Sequence, residues 1–181
     1  HIMNVRLKRD FSFTAGIYYN NRVHMNNYNL RLWMITNSYD LDNHNIAFER
    51  LKYFLYNEID STVFVNNEAV EACQKFINAG IKITTLPGDP VDQLIGIMLY
   101  YKLNAIMEDR MLIVETELSS VMGDTMTYLH SAEENSNDLK QPDWWTSPDI
   151  VHCDPDVIPT DNVVSMHQAS AWRDLDLSWD N

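Results

Sequence analysis

The chain has 181 residues, of which 26 are Asp or Glu and 13 are Lys or Arg, so its net charge is −13 at pH 7. This acidity argues against nucleic-acid and anionic-membrane partners, because phosphate contacts need clustered basic side chains. Apolar residues make up 45% of the chain, yet no apolar run approaches the roughly 20 residues of a membrane helix, so we expect a folded cytoplasmic protein.

The first elements in chain order are two strands that form a hairpin. Residues 4–16 alternate weakly, and Tyr28–Ile35 places its leucines and a methionine on one side and Arg31 and Trp33 on the other. Such alternation is typical of a half-buried strand. Asparagines tolerate turn geometry, so the sequence predicts a long hairpin that turns at 19–22.

Two long helices form the middle of the chain. Apolar residues recur at helical spacing over 45–59 and again from Val91 to Leu103. Before the second helix, Asp89 and Pro90 offer a cap followed by a proline in the first turn. The sequence therefore predicts two amphipathic helices that pack on the sheet.

A short insertion separates these helices, and two strands follow them. Residues 62–65 predict a short strand, and 68–78 predict a short helix that ends at Gly80. Strict alternation over 111–118 predicts a strand with Ile113 and Glu115 on one face. A Gly-Asp turn at 123–124 and a last strand over 125–130 are predicted to follow.

The composition changes after residue 130. Residues 131–181 hold 11 acidic and 2 basic side chains, no glycine, and four of the five tryptophans. We predict a domain over 1–130, a linker over 131–140 and an acidic, Trp-rich tail over 141–181. Such a tail seldom builds its own core, but its tryptophans can lie on a surface elsewhere.

Over residues 8–130 the chain resembles the tunnelling-fold (T-fold) proteins, and within them the 6-pyruvoyl- and 6-carboxytetrahydropterin synthases. Four segments look like family motifs, namely a Phe-x-Ala-Ala-His strand, a His-Gly-His strand, a Pro-Thr-x-Glu helix start and a Glu-Thr strand. They are Lys8–Gly16, His24–Met34, Pro90–Leu94 and Val114–Thr116. The resemblance implies an α+β fold with an antiparallel four-stranded sheet and two long helices on one face (ββααββ), plus the inserted strand and helix.

The resemblance implies a ligand-binding role for Glu115. In T-fold proteins a glutamate on this strand binds the N–H groups of a purine or pterin ring in a pocket between subunits, since a carboxylate accepts two parallel hydrogen bonds. Thr116, Gln93 and Asp60 complete the implied ligand-binding set. The alternative interpretation is that Glu115 and Glu117 are neighbours on a solvated strand face.

The metal site of the family is not reproduced. Where the family has three zinc-binding histidines, this chain has Ile17, His24 and Asn26, and isoleucine offers zinc no ligand atom. The Asp-His relay of the family keeps Asp60 but has Ser61 in place of the histidine. We predict no metal and no cofactor, with His24 either a remnant of the ligand set or a surface histidine of the turn.

Three functions remain open. The first is a zinc-free T-fold protein that binds a purine- or pterin-like small molecule through Glu115. The second is an enzyme of pterin or deazapurine pathways, either a 6-carboxytetrahydropterin synthase-like lyase or a metal-free aldolase-like enzyme. The third is a non-catalytic scaffold whose acidic tail binds a protein partner. Open sheet edges invite another copy of the chain, so we expect a homo-oligomer in which Ile113 and Glu115 face the tunnel or interface.

Overall fold

The computed structural model describes most of the chain, namely residues 5–36, 41–122, 126–134, 139, 141–159 and 171–179. The predicted turn at 123–124 and part of the predicted linker lie outside the described residues. The helices and strands are β1 Val5–Tyr19, β2 Arg22–Thr36, α1 Leu41–Tyr53, β3 Val63–Asn66, α2 Val70–Asn78, β4 Ile83–Leu86, α3 Asp92–Met107, β5 Leu112–Ser120 and β6 Thr127–Ser131. Short 3₁₀ turns in the tail span Trp144–Thr146, Pro155–Val157 and Trp172–Leu175.

The predicted hairpin is present and is longer than its alternation suggested. β1 and β2 pair antiparallel along their whole length, from Val5 opposite Thr36 to Tyr19 opposite Arg22. The two turn residues, both asparagines, have φ angles of 52° and 61°. Two left-handed residues in succession fit the twist of a two-residue hairpin, and asparagine adopts this conformation more readily than most residues.

The sheet has six strands in the order β4-β3-β1-β2-β5-β6. The four predicted antiparallel strands are the contiguous set β1-β2-β5-β6. The prediction of a four-stranded antiparallel sheet is nevertheless wrong, because the insertion adds two strands parallel to β1. Parallel neighbours need a crossover connection, and α2 provides it between β3 and β4. The short run Ile83–Leu86 was not predicted as a strand.

α1 and α3 pack on one face of the sheet, and α2 packs on the opposite face at β3 and β4. The predicted helix over 45–59 begins earlier, at Leu41, and its last six residues are π-helical. α3 begins at Asp92, and its N-cap residue, Val91, makes no side-chain capping bond. The predicted cap at Asp89 is therefore wrong, because residues 89–91 precede the helix. Within the described residues no helix is long and apolar enough to cross a membrane.

The described part of the tail packs against this domain. Trp144, Trp145 and Trp172 are buried in the same apolar cluster as the helices and the sheet. On the edge of the sheet, the backbone N–H of Thr85 in β4 donates to the carbonyl of His152 at 3.2 Å. The tail thus covers both apolar surface and a strand edge, while the division into domain, linker and tail stays a prediction.

Candidate functional site

α1 and α3 pack against one face of the sheet, and α2 covers the β3–β4 end of the other face. On β1 and β2 buried and exposed side chains alternate, and the buried set belongs to the core. The other set forms rows across the strands, because directly opposed residues share a face. We call this surface the open face; its three central rows are Lys8–Trp33–Glu115–Ser131, Asp10–Arg31–Glu117–Leu129 and Ser12–Asn29–Ser119–Thr127.

A β-bulge at Val114 decides which way Glu115 points. β5 pairs with β2 first as Glu115 opposite Trp33 and then as Ile113 opposite Met34, so Val114 is the extra residue. Ile113 is fully buried in the core, whereas Glu115 lies on the open face. The prediction that Ile113 and Glu115 share a face is wrong, because one extra residue inverts a strict alternation.

The side chain of Asn104 supports the bulge from α3. Its Oδ1 accepts the backbone N–H of Ile113 at 2.8 Å, and its Nδ2 donates to the carbonyl of Ile113 at 3.2 Å. Both backbone groups of Ile113 therefore have a partner at the point where the ladder is irregular. A buried backbone group without a partner would cost free energy.

Thr116, a predicted ligand residue, faces the core. It is only 1% exposed and lies opposite His130 on β6. Within the described residues neither the Thr116 hydroxyl nor Nε2 of His130 has a hydrogen-bond partner. Burial lowers the pKa of His130, although the nearby Glu134 carboxylate acts in the opposite direction. Thr116 and Glu115 therefore point to opposite sides of the sheet.

Glu115 lies beside an indole and a hydroxyl on the open face. It is opposite Trp33 on β2 and opposite Ser131 on β6. Nζ of Lys8 lies 5.7 Å from the centre of the Trp33 ring. Within the described residues the Glu115 carboxylate has no hydrogen bond or ion pair. This row can therefore offer a flat ring two acceptor oxygens and an aromatic surface.

In the next row Arg31 is paired with a carboxylate on each side. Its Nε donates to Oδ1 of Asp10 at 2.8 Å, and its Nη1 lies 3.6 Å from Oε2 of Glu117. The hydrogen bond from Arg31 lowers the pKa of Asp10, and the same bond raises the pKa of Arg31. This trio borders a groove of about 410 Å³, whose other polar side chains are Ser12, Asn29, Ser119 and Thr127.

Two further predicted ligand residues lie away from Glu115. Asp60 accepts the backbone N–H of Thr14 at 2.9 Å, which ties the turn before β3 to β1. Thr14 is six residues along β1 from Lys8, so it is roughly 20 Å from the Glu115 row at the rise of a strand. Gln93 is exposed in the first turn of α3. One chain does not bring these side chains together, and their ligand roles stay predictions.

The three positions that resemble the zinc ligands of the family lie close together. Ile17 and His24 are opposite each other in the hairpin, and with Asn26 they line an open depression of about 500 Å³ that also contains Asp89 and Asp92. In the described part of the chain, no group of three His, Cys, Asp or Glu side chains is placed to hold a metal ion. This donor set does not fit zinc, because Ile17 supplies no ligand atom.

Comparison with known proteins gives matches to structures alone. No family model and no curated protein matches the chain. An uncharacterized protein from Wolinella succinogenes has a TM-score of 0.50 at 9% identity, and the match covers 72% of this chain and 99% of that chain. Two 6-pyruvoyl tetrahydropterin synthases also match. The enzyme from Plasmodium vivax gives a TM-score of 0.45 at 12% identity, covering 71% of this chain and 99% of that one. The enzyme from Caenorhabditis elegans gives 0.44 at 11% identity, covering 72% and 96%.

The strand and helix order that the T-fold resemblance implied is present in the described residues. The match at a TM-score of 0.50 shows that the Wolinella protein has a similar fold. At these identities the likeness concerns the fold alone, so it transfers no ligand and no residue role.

Sequence reasoning did not assign a functional role to Trp33 or Arg31. The alternation of β2 already placed both on the polar face. The missing step was the pairing of β2 with β5, which sets Trp33 opposite Glu115 and Arg31 opposite Glu117. The predicted hairpin concerns the pairing of β1 with β2. It does not give the register of β2 with β5, which the bulge in β5 shifts by one residue.

Proposed function

We propose that this protein binds a flat, N–H-bearing heterocycle of the purine or pterin class through the carboxylate of Glu115. One observation carries the proposal. The bulge at Val114 holds Glu115 on the open face beside Trp33, with no partner for its carboxylate among the described residues. A carboxylate can accept two bonds from a ring N–H and a neighbouring amine, and an indole offers a stacking surface.

A second copy of the chain would complete the site. The open face is part of a sheet surface, whereas small-molecule sites enclose most of their ligand. In the described residues β3 pairs with β1 only at Gly16 and Ile17, which leaves the outer edge of residues 5–13 without a partner strand. β6 is the other end of the strand order. The free edge of β1 and the free edge of β6 end the same rows of the sheet, and such edges support assembly with another copy.

The composition of the open face favours binding over catalysis. The two charged rows contain Lys, Asp, Arg and Glu side chains, but neither histidine nor cysteine. Those two residue types most readily move protons or attack substrates near neutral pH. The described rows beside Glu115 thus lack the two residue types that the enzyme hypothesis would most readily use.

The tail gives the scaffold hypothesis no comparable support. Nε1 of Trp144 donates to the carbonyl of Thr85 at 3.0 Å, and Nε1 of Trp172 donates to the carbonyl of Pro148 at 2.7 Å. The N–H groups of these two indoles therefore already have acceptors within the chain. Partner binding by the tail stays a prediction.

The test is calorimetric titration of 9-methylguanine and pterin into the wild type and Glu115→Gln. The amide keeps the size of the side chain but replaces an acceptor oxygen with a donor, so the affinity for either ring should fall about 10- to 100-fold. Glu117→Gln, on the same face and two residues away, is the matched control and should leave the affinity for these bare rings unchanged. Equal affinity of the wild type and Glu115→Gln, or no binding of either ring, would contradict the proposal.

A further inference from the structure

We infer that the ligand carries a neutral, hydroxylated substituent on its ring, and that the groove beside Glu115 receives it. This inference rests on the proposed function and names its ligand more closely. The ligand class would be a nucleoside, or a pterin with a polyol side chain, without a phosphate group.

The first argument is position. The groove begins at the row of Arg31 and Glu117, which lies next to the row of Trp33 and Glu115. Two residues along a strand correspond to roughly 7 Å, a separation that one ring and its first substituent atoms can span. The volume of about 410 Å³ exceeds that of several water molecules at about 30 Å³ each, so a chain of a few hydroxylated carbons fits.

The second argument is hydrogen-bonding capacity. The hydroxyl of Ser12 donates to Oδ1 of Asn29 at 3.0 Å, which leaves the Nδ2 donors of Asn29 available. Within the described residues the hydroxyls of Ser119 and Thr127 have no hydrogen-bond partner. Amide donors and hydroxyls that both donate and accept are the complement of a sugar or polyol hydroxyl. A purely apolar substituent would leave these groups without partners at a cost.

The third argument is charge, which separates a hydroxylated ligand from its phosphate ester. Arg31 is the one basic side chain that lines the groove in the described chain, and Asp10 and Glu117 already flank it. The lining thus carries one positive and two negative groups. Phosphate recognition relies on cations that are free to form charge-assisted hydrogen bonds. A phosphate in this groove would instead face two carboxylates.

The experiment compares matched ligands by calorimetric titration. The wild type receives 9-methylguanine, guanosine and guanosine 5′-monophosphate, and in parallel pterin and its 6-trihydroxypropyl derivative. We expect the hydroxylated compounds to bind about 5- to 30-fold more tightly than the bare rings, as one or two net hydrogen bonds would give. The monophosphate should bind no more tightly than guanosine.

Variants then locate the preference. The double change Ser119→Ala and Asn29→Ala should reduce the affinity for guanosine to that for 9-methylguanine, with the bare ring unaffected. Glu117→Gln should weaken the discrimination against the monophosphate, because it removes one negative charge beside Arg31. Thr14→Ala, on the same face but outside the groove, should change neither preference.

The outcomes separate this inference from the proposed function. Bare rings that bind through Glu115 with no gain from hydroxyls would overturn the inference and leave the function standing. A monophosphate that binds more tightly than guanosine, or a hydroxyl preference that survives the double variant, would also overturn it. If no ring binds, the proposed function fails, and the inference fails with it.

Discussion

At the scale of single residues, the contact between Glu58 and His152 shows how the tail is held to the domain. Nε2 of His152 lies 3.1 Å from Oε2 of Glu58, and Nδ1 lies 2.8 Å from the carbonyl of Ile83. Burial acts to raise the pKa of Glu58, but hydrogen bonds from His152 and Tyr53 outweigh burial, and the pKa falls below its usual value. A lowered pKa means that the folded state favours the ionised carboxylate.

We predict that Glu58→Gln lowers the free energy of unfolding by about 1–2 kcal/mol at pH 7, because a charge-assisted bond becomes a neutral one. The stabilisation from Glu58 is fully present above the pKa of the unfolded chain, near 4.3, and is lost as the pH falls through the lower pKa of the folded state. Denaturant unfolding from pH 7 to pH 3 should therefore show the two proteins converging at low pH.

The exposed Glu71 is the control for this experiment. It forms an i,i+4 pair with Lys75 on the surface of α2, and exposed pairs of this kind contribute little to stability. Glu71→Gln should change the free energy of unfolding by less than about 0.5 kcal/mol at every pH. A difference between wild type and Glu58→Gln that stays constant down to pH 3 would contradict the assignment.

At the scale of elements, the irregular register of β5 depends on α3. Val114 is the extra residue of the bulge, and the carboxamide of Asn104 binds both backbone groups of Ile113. A bulge bends its strand and redirects the side chains that follow. The orientation of Glu115 on the open face is thus coupled to a helix residue on the other side of the sheet.

We predict that Asn104→Leu lowers the free energy of unfolding by about 2–4 kcal/mol, because the N–H and the carbonyl of Ile113 both lose a partner. Asn104→Asp should cost less, since its carboxylate can still accept the N–H. Thermal and denaturant unfolding give these values, and ring titration gives the effect on Glu115. If Asn104→Leu is as stable as the wild type, the bulge does not need this support.

At the scale of the whole molecule, the tail completes the core and satisfies a buried charge. Lys102 in α3 is fully buried, and its Nζ donates to the carbonyls of Trp144, Ser147 and Asp149 at 3.0, 2.8 and 2.7 Å. Burial lowers the pKa of Lys102 to about 7, although Asp149 acts in the opposite direction. Without the tail this ammonium group would have none of these three acceptors, and buried charges are costly when unpaired.

We predict that a chain ending at residue 140 loses cooperative unfolding, and that Lys102→Met acts with opposite signs in the two chains. In the full chain it removes the donor to three carbonyls and should cost about 2–4 kcal/mol. In the truncated chain it removes an uncompensated buried charge and should restore part of the stability. Denaturant unfolding of the two full-length proteins gives the cost in the full chain, and near-UV circular dichroism of the two truncated proteins shows whether Lys102→Met restores tertiary packing.

The surface variant Ile158→Ser is the control for loss of tail side chains, because Ile158 is 39% exposed. It should leave unfolding cooperative. A soluble truncated chain with the near-UV spectrum of the full chain would show that the domain folds without the tail. Lys102→Met with the same effect in both chains would show that the three carbonyls are not its relevant partners.

The local elements could be predicted from the amino-acid sequence. Leu30, Leu32 and Met34 alternate with Arg31 and Trp33 and are buried as predicted. Asn20 and Asn21 supply the left-handed turn. These features depend on neighbours within one strand or one turn, and side-chain periodicity records them directly. The resemblance to T-fold motifs added the expectation that four antiparallel strands share one sheet, as β1, β2, β5 and β6 do within a larger sheet.

How these elements pair and pack could not be predicted in this way. The six-stranded sheet, the opposite orientations of Ile113 and Glu115, and the burial of the tail tryptophans all depend on contacts between residues far apart in sequence. A single bulge residue inverts the face of a strand, and its cost is offset by Asn104 on another element. The alternation of residues within β5 cannot predict that Asn104 binds there, because strand register depends on pairing and packing across the whole molecule.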